Sequence, residues 1–209
     1  MGFTEVYVPD KSLSVSCPSD WCPAADFEAG AKGLTNFVRH YGGVSFNGAV
    51  YRVHCGREIS HWTGVVEEGF PEFRGRILCF SYDWLGRHFA LDRARQGAGE
   101  CLILMFEPGT GQALEIAGSF RTFHDTELVT YQNEALAAQF YKTWLVSGGR
   151  PPDITECIGY KKPLFLGGKD VVDNLELSDM EVYWSLCSQM LSRTRNLPNG
   201  TRIGRIDIG

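Results

Sequence analysis

The chain has 209 residues, enough for one large domain or two small ones, and its 44% hydrophobic and 22% charged residues are the balance of a folded globular protein. That composition excludes an intrinsically disordered segment and a collagen-like fibre. Its 20 Lys plus Arg against 25 Asp plus Glu leave a formal charge of −5, which argues against a protein built to grip phosphate backbones and suits a basic partner instead.

No window of about 18 consecutive apolar residues occurs, so no transmembrane helix and no membrane partner are expected. The stretch Met1 to Tyr7 lacks the basic and apolar regions of a secretory signal, which leads to an expected cytoplasmic location. Seven cysteines, an odd number at wide spacing, are expected as buried thiols in a chain this large.

Taken in chain order, Phe27, Ala31, Leu34, Val38 and Tyr41 recur at helical spacing and predict one helix that ends at Gly42-Gly43. Gly30 and Gly33 each cost it on the order of 1 kcal/mol relative to Ala, so packing must hold it. Asn47-Gly48 marks a turn into a strand. Five short apolar runs follow, at 49–53, 76–82, 87–91, 101–106 and 113–117, at spacings that suit an antiparallel meander. Glu107-Pro108-Gly109-Thr110-Gly111 is a hairpin loop and Asp83-Trp84-Leu85-Gly86 a tight turn. Between the first two runs, Ile59, Trp62, Val65, Val66 and Phe70 predict a helix closed by Gly69 and Pro71.

A second helical stretch carries Leu136, Ala137, Phe140, Tyr141, Trp144 and Leu145 as a wide apolar stripe. Gly148-Gly149-Arg150-Pro151-Pro152 cannot continue it and is the expected boundary between an N-terminal domain, 1–150, and a C-terminal one, 151–209. The last helix is predicted to open on a capping box, Ser178 reaching the third helical amide and Glu181 reaching back. Its buried face would be Tyr183, Leu186, Cys187, Met190 and Leu191. Asn199-Gly200 reads as a turn beyond it. The expected fold class is α+β: helices on a largely antiparallel sheet, with a smaller, mainly helical C-terminal part.

Tests for catalytic patterns mostly fail. Gly167-Gly168-Lys169-Asp170 invites a phosphate-loop reading, but the first glycine of that motif would fall on Pro163 and its hydroxyl on Asp170. Gly43-Val44-Ser45-Phe46-Asn47 lacks the second glycine of a nucleophile elbow. His54, Cys55, Glu58 and His61 lie close enough in sequence for a metal- or thiol-dependent hydrolase, although no HExxH or paired Cys-x-x-Cys supports it. Cys17 and Cys22 form a lone pair with no second one. No cofactor is implied.

Two stretches carry a resemblance. Tyr160-Lys161-Lys162-Pro163-Leu164-Phe165-Leu166-Gly167-Gly168-Lys169-Asp170 and Val172-Asp173-Asn174-Leu175-Glu176-Leu177-Ser178-Asp179-Met180-Glu181-Val182-Tyr183 resemble the C-terminal domain of bacterial immunity proteins against type VI secretion DNase effectors. Upstream, Phe37-Val38-Arg39-His40-Tyr41-Gly42-Gly43, Tyr82-Asp83-Trp84-Leu85-Gly86-Arg87 and Phe106-Glu107-Pro108-Gly109-Thr110-Gly111 are similar to the GAD-like domain that commonly precedes it. The resemblance implies a non-enzymatic antitoxin that binds a cognate DNase in the cytoplasm and blocks it, with no direct nucleic-acid contact. Surplus acid is consistent with that, because a nuclease presents positive potential to DNA.

The expected contact residues are acids around aromatic anchors, in two sets: Glu67, Glu68 and Glu72, and then Asp170, Asp173, Glu176, Asp179 and Glu181. For each acid taken singly, a solvated face or a capping duty is the simpler account. Besides the hydrolase, a third reading is a nucleic-acid-associated regulatory module, since GAD domains also occur in tRNA-related enzymes. Arg193, Arg195, Arg202 and Arg205 would form its basic face.

Overall fold

The computed structural model describes residues 2–18, 20–198 and 201. The order is α1 (Phe3–Val6), β1 (Pro9–Asp10), α2 (Ala25–Gly30), α3 (Leu34–Tyr41), β2 (Ser45–Phe46), β3 (Tyr51–Val53), α4 (Gly56–Gly69), β4 (Ile77–Asp83), β5 (His88–Gly97), β6 (Glu100–Glu107) and β7 (Gln112–Ser119), followed by a helical block. That block holds α5 (Phe120–Thr122), a π-helical turn over Phe123–Glu127, α6 (Leu128–Thr130), α7 (Gln132–Leu136) and α8 (Ala138–Val146). The hairpin β8 (Glu156–Tyr160) and β9 (Leu175–Asp179) and the long helix α9 (Met180–Thr194) complete it.

β1 to β7 form a seven-stranded sheet in sequential order, each strand antiparallel to the next; β3 to β7 are the expected five-run meander, and the short strands β1 and β2 extend it at one edge. Its central strands read as continuous apolar runs because both faces are covered. Leu78, Phe80, Phe89, Leu91, Ile103 and Met105 point into a core shared with α1 to α3 and the α5–α8 block. Cys79, Ala90, Leu104 and Phe106 point into a second core, built with α4 and α9 through Trp62, Val66, Met180, Tyr183, Trp184 and Cys187. This is the α+β class the sequence predicts, with the addition of the β8–β9 hairpin, whose two strands are 14 residues apart in the chain.

Several local expectations need correction. The helix predicted across 27–41 is two helices, because Gly33 takes φ +91° and turns the chain between α2 and α3. Its apolar period survives the break, since Phe27, Leu34 and Val38 all reach one core. Gly30 is needed for close approach: a Cβ there would collide with Cys101 Sγ on β6. The stripe through Leu136 and Tyr141 is likewise broken, with Ala137 in the left-handed region at φ 49° between α7 and α8.

The last helix begins at Met180, and its N-cap is Asp179, whose carboxylate accepts the Val182 N–H at 3.0 Å. Ser178 is a strand residue paired with Cys157, so the capping box centred on it does not form. Leu186, expected in the buried face, is exposed. Cys17 and Cys55 are disulfide-bonded and Cys22 is exposed, whereas Cys79, Cys101, Cys157 and Cys187 are the expected buried thiols. The Asn199-Gly200 turn lies outside the described residues.

The loop after α8 is fastened to the sheet by Arg52 on β3. Its buried guanidinium donates to the Ser45 hydroxyl at 3.1 Å and to the carbonyls of Pro152 and Asp153. Two further ties hold the C-terminal elements, the Ile158 N–H donating to the Trp84 carbonyl and Trp184 Nε1–H to the Gly86 carbonyl, each at 2.8 Å, and Trp84 Nε1–H also donates to the Leu136 carbonyl of α7 at 2.7 Å. Gly86 takes φ +72° in the predicted turn, and a Cβ there would press on Cys157 at 3.0 Å.

Candidate functional site

α4 and α9 run side by side in the same direction. His61 Nε2 lies 3.6 Å from Glu181 Oε1 near their N-terminal ends, and Arg195, just past α9, reaches Glu72 at 3.3 Å and the Gly69 carbonyl near their C-terminal ends. The cause is the second core between them, where Trp62 and Val66 of α4 meet Tyr183, Trp184 and Cys187 of α9. At its centre two imidazoles touch: His54 Nε2 and His88 Nδ1 are 3.0 Å apart, with rings stacked at 5.0 Å between centroids. Trp62 stacks on both rings, and Trp184 meets His88 edge-on at 5.1 Å. Burial holds both histidines neutral. His54 is pushed well below its ordinary range by burial and then by neighbouring His88 and His61, and His88 is pushed down to about 3 by burial and His61.

On the outside of this packing, a groove of about 280 Å³ opens between the β8–β9 hairpin and α9. Val182, 56% exposed, and Leu186, 36% exposed, lie one turn apart along it. Glu176 and Asp179 stand on its rim, with Tyr160 and Tyr183 buried at its floor. A second hollow of about 220 Å³ lies on the other side of the α9 N-terminus, lined by Glu58, His61, Trp62, Asp179 and Glu181. Asp179 borders both. An exposed aliphatic strip flanked by carboxylates is a surface suited to a protein that presents cations around an apolar patch.

The two acidic sets do not merge into one patch. Glu176, Asp179 and Glu181 gather around the start of α9. Asp170 accepts the Tyr160 hydroxyl at 2.8 Å, and Lys161 Nζ donates to the Asp173 carbonyl at 2.9 Å, so both acids belong to the β8–β9 loop. Glu67 accepts the Gly75 N–H at 2.7 Å, Glu72 pairs with Arg195, and Glu68 is exposed, all at the far end of α4. The exposed apolar neighbours of the α9 acids are Val182 and Leu186, aliphatic where aromatic anchors were expected. Their helical spacing from Tyr183 and Cys187 carried no sign that they face outward.

The Gly-Gly turn that resembles the family motif is a scaffold. Gly167 takes φ +80°, and Asn174 Nδ2–H donates to the carbonyls of Lys162 and Lys169 at 2.9 Å each, while its Oδ1 accepts the Lys162 N–H. The residues of the hydrolase reading are dispersed. His54 is sealed inside against His88, Cys55 is joined to Cys17, and Glu58 and His61 face the outer hollow. Among the described residues no group of three or more His, Cys, Asp or Glu is placed to hold a metal ion. Of the basic face, Arg195 is engaged with Glu72 and Gly69, Arg193 is exposed in the last turn of α9, and Arg202 and Arg205 lie outside the described residues.

The arrangement defines an α+β protein with two helices laid on one face of a meander. A solved structure shares that fold: Atu4351 from Agrobacterium tumefaciens superposes with a TM-score of 0.54 over 85% of this chain and 84% of that one, at 11% identity. Residues 119–191 match the family described as T6SS immunity protein Tdi1, C-terminal, where T6SS is the type VI secretion system. That span runs from the end of β7 through most of α9 and contains both stretches on which the immunity-protein resemblance rests, so the resemblance is borne out there. It starts before the Gly148–Pro152 loop and leaves the GAD-like resemblance of the upstream region an expectation. No curated protein matches the chain.

Proposed function

We propose that this protein is an immunity protein that binds a type VI secretion DNase toxin and neutralises it in the cytoplasm of the cell that makes both. The observation that carries this reading is the match of residues 119–191 to the immunity family, which supports a non-enzymatic, protein-binding role. The surplus of acid and the carboxylate-flanked strip on α9 fit a cationic partner. Steering by these charges raises the association rate, and the desolvated aliphatic contacts set the residence time.

Of the eight acids expected to touch the toxin, Glu176, Asp179 and Glu181 are the group with exposed apolar neighbours, and we assign them the larger share. Glu67, Glu68 and Glu72 form a separate outlying set, and Asp170 and Asp173 act through the loop they belong to. The test is charge reversal in two blocks, Glu176→Lys with Glu181→Lys, and Glu67→Lys with Glu68→Lys, with association followed at low and high salt. The first block should slow association at least about tenfold at low salt and the second by less. Unchanged association in the first block removes the α9 surface from the interface.

A further inference from the structure

The seven-stranded sheet ends on β7, an eight-residue strand whose inner side pairs with β6 and whose outer side meets no strand among the described residues. Open edges of this length are ordinarily blunted by lysine, proline or a covering element. Between Gln112 and Ser119 there is no Lys and no Pro, and no backbone group of 113–118 bonds to anything other than β6 among the described residues. Along the same edge runs a depression of about 270 Å³ between β7 and the α6–α7 segment. It displays Leu114, 39% exposed, and Tyr131, 48% exposed. Glu115, Glu127 and Glu134 surround them, and among the described residues no Lys or Arg lines the depression. Glu115 is partly neutralised by Arg95 at 3.0 Å, whereas the carboxylates of Glu127 and Glu134 make no ion pair among the described residues.

We infer that the β7 edge is a second docking surface, on which an extended, cationic segment of the toxin adds as a further strand, with an apolar side chain against Tyr131 and Leu114 and basic side chains toward Glu127 and Glu134. The inference rests on the proposed immunity function for the identity of the occupant. Strand addition supplies main-chain hydrogen bonds that need no particular sequence, and the flanking pockets select the side chains. Charge decides between the two obvious occupants of an open edge. A second copy of this chain would bring the same three glutamates against themselves, while a nuclease segment that faces DNA brings the opposite sign. Gly111, just before β7, lies against Leu191 near the C-terminal end of α9, whose start carries the first surface, so the two are separate contact areas on one molecule.

The experiment is hydrogen exchange on the wild-type protein, alone and with an equimolar, catalytically inactive form of its cognate type VI secretion DNase effector. Binding of the triple variant Tyr131→Ala, Glu127→Lys, Glu134→Lys is measured in parallel. The expected result is slowed exchange at amides of 112–119 in the complex and affinity about tenfold weaker in the variant, with its melting temperature unchanged. Wild-type affinity in the variant, together with protection confined to 175–190, overturns the β7 surface and leaves the immunity function standing. Concentration-dependent protection of β7 without effector assigns the edge to self-association and overturns the proposal. No binding by the wild type overturns the function on which it rests.

Discussion

A histidine pair buried away from solvent makes this protein sensitive to acid in a definite direction. His54 and His88 touch inside the core between α4 and α9, and His88 Nε2 has no hydrogen-bond partner among the described residues. The folded state keeps His88 neutral down to about 3 and His124 down to about 4, while an unfolded histidine takes up a proton near 6.5. The unfolded state therefore binds more protons between those limits. Stability is fully present above about pH 6.5 and falls as the pH drops below it, by at most about 1.4 kcal/mol per pH unit for each histidine. Burial raises the Asp83 carboxyl, which works in the opposite sense but only near and above ordinary carboxylate values. Urea unfolding at pH 7, 6 and 5 should show a falling midpoint, and His88→Gln should flatten the fall while lowering stability at pH 7. A midpoint that rises toward pH 5 contradicts this. Arg52 offers a second test at this scale. Arg52→Ala removes charge-assisted bonds to two carbonyls and the Ser45 hydroxyl and should cost on the order of 3 kcal/mol in denaturant unfolding. Arg52→Lys should restore little, because an ammonium lacks the planar fork those acceptors fit.

At the scale of elements, the start of α9 separates capping from recognition. Asp179→Ala should lose about 1 kcal/mol with the N-cap bond. Asp179→Asn keeps that bond and removes the charge, so stability should hold while association with the toxin slows at low salt. Ser178→Ala, at a strand position, should change helix stability little; a loss equal to that of Asp179→Ala would restore Ser178 as the cap. The sequence placed this helix correctly and missed its cap by one residue, because Ser-Asp offers two competent caps and the pairing of Ser178 with Cys157 decides between them. The breaks at Gly33 and Ala137 were hidden for a related reason. Apolar spacing reports which residues reach a core, and Phe27, Leu34 and Val38 do so on both sides of a turn. The meander was legible because Pro108, Gly109, Gly86 and Asn47-Gly48 mark its turns chemically. The β8–β9 hairpin was not, since its strands are joined by a long loop held by Asn174 rather than by a short turn.

For the whole molecule, the net charge of −5 is consistent with the proposed basic partner, and the fold determines which acids can act together. Asp179 and Glu181 share a hollow with Glu58 and His61, residues that sequence proximity alone had grouped with His54 and Cys55 for catalysis, and Glu176 stands on the adjoining groove. Folding divides that group, sealing His54 and Cys55 inside and turning Glu58 and His61 outward. The exposed edge of β7 and the strip of Val182 and Leu186 had no signal in the sequence, because exposure of an apolar residue depends on what fails to cover it. Both surfaces are acidic, as the proposed docking of a cationic protein requires. The most direct measurement is DNA cleavage by the purified effector nuclease titrated with this protein, with complex formation followed by light scattering in the same mixtures. Cleavage should fall to zero as a stoichiometric complex forms, and it should recover in surface variants that bind weakly. Inhibition that persists when no complex forms, or a stable complex that leaves cleavage intact, contradicts neutralisation by direct binding.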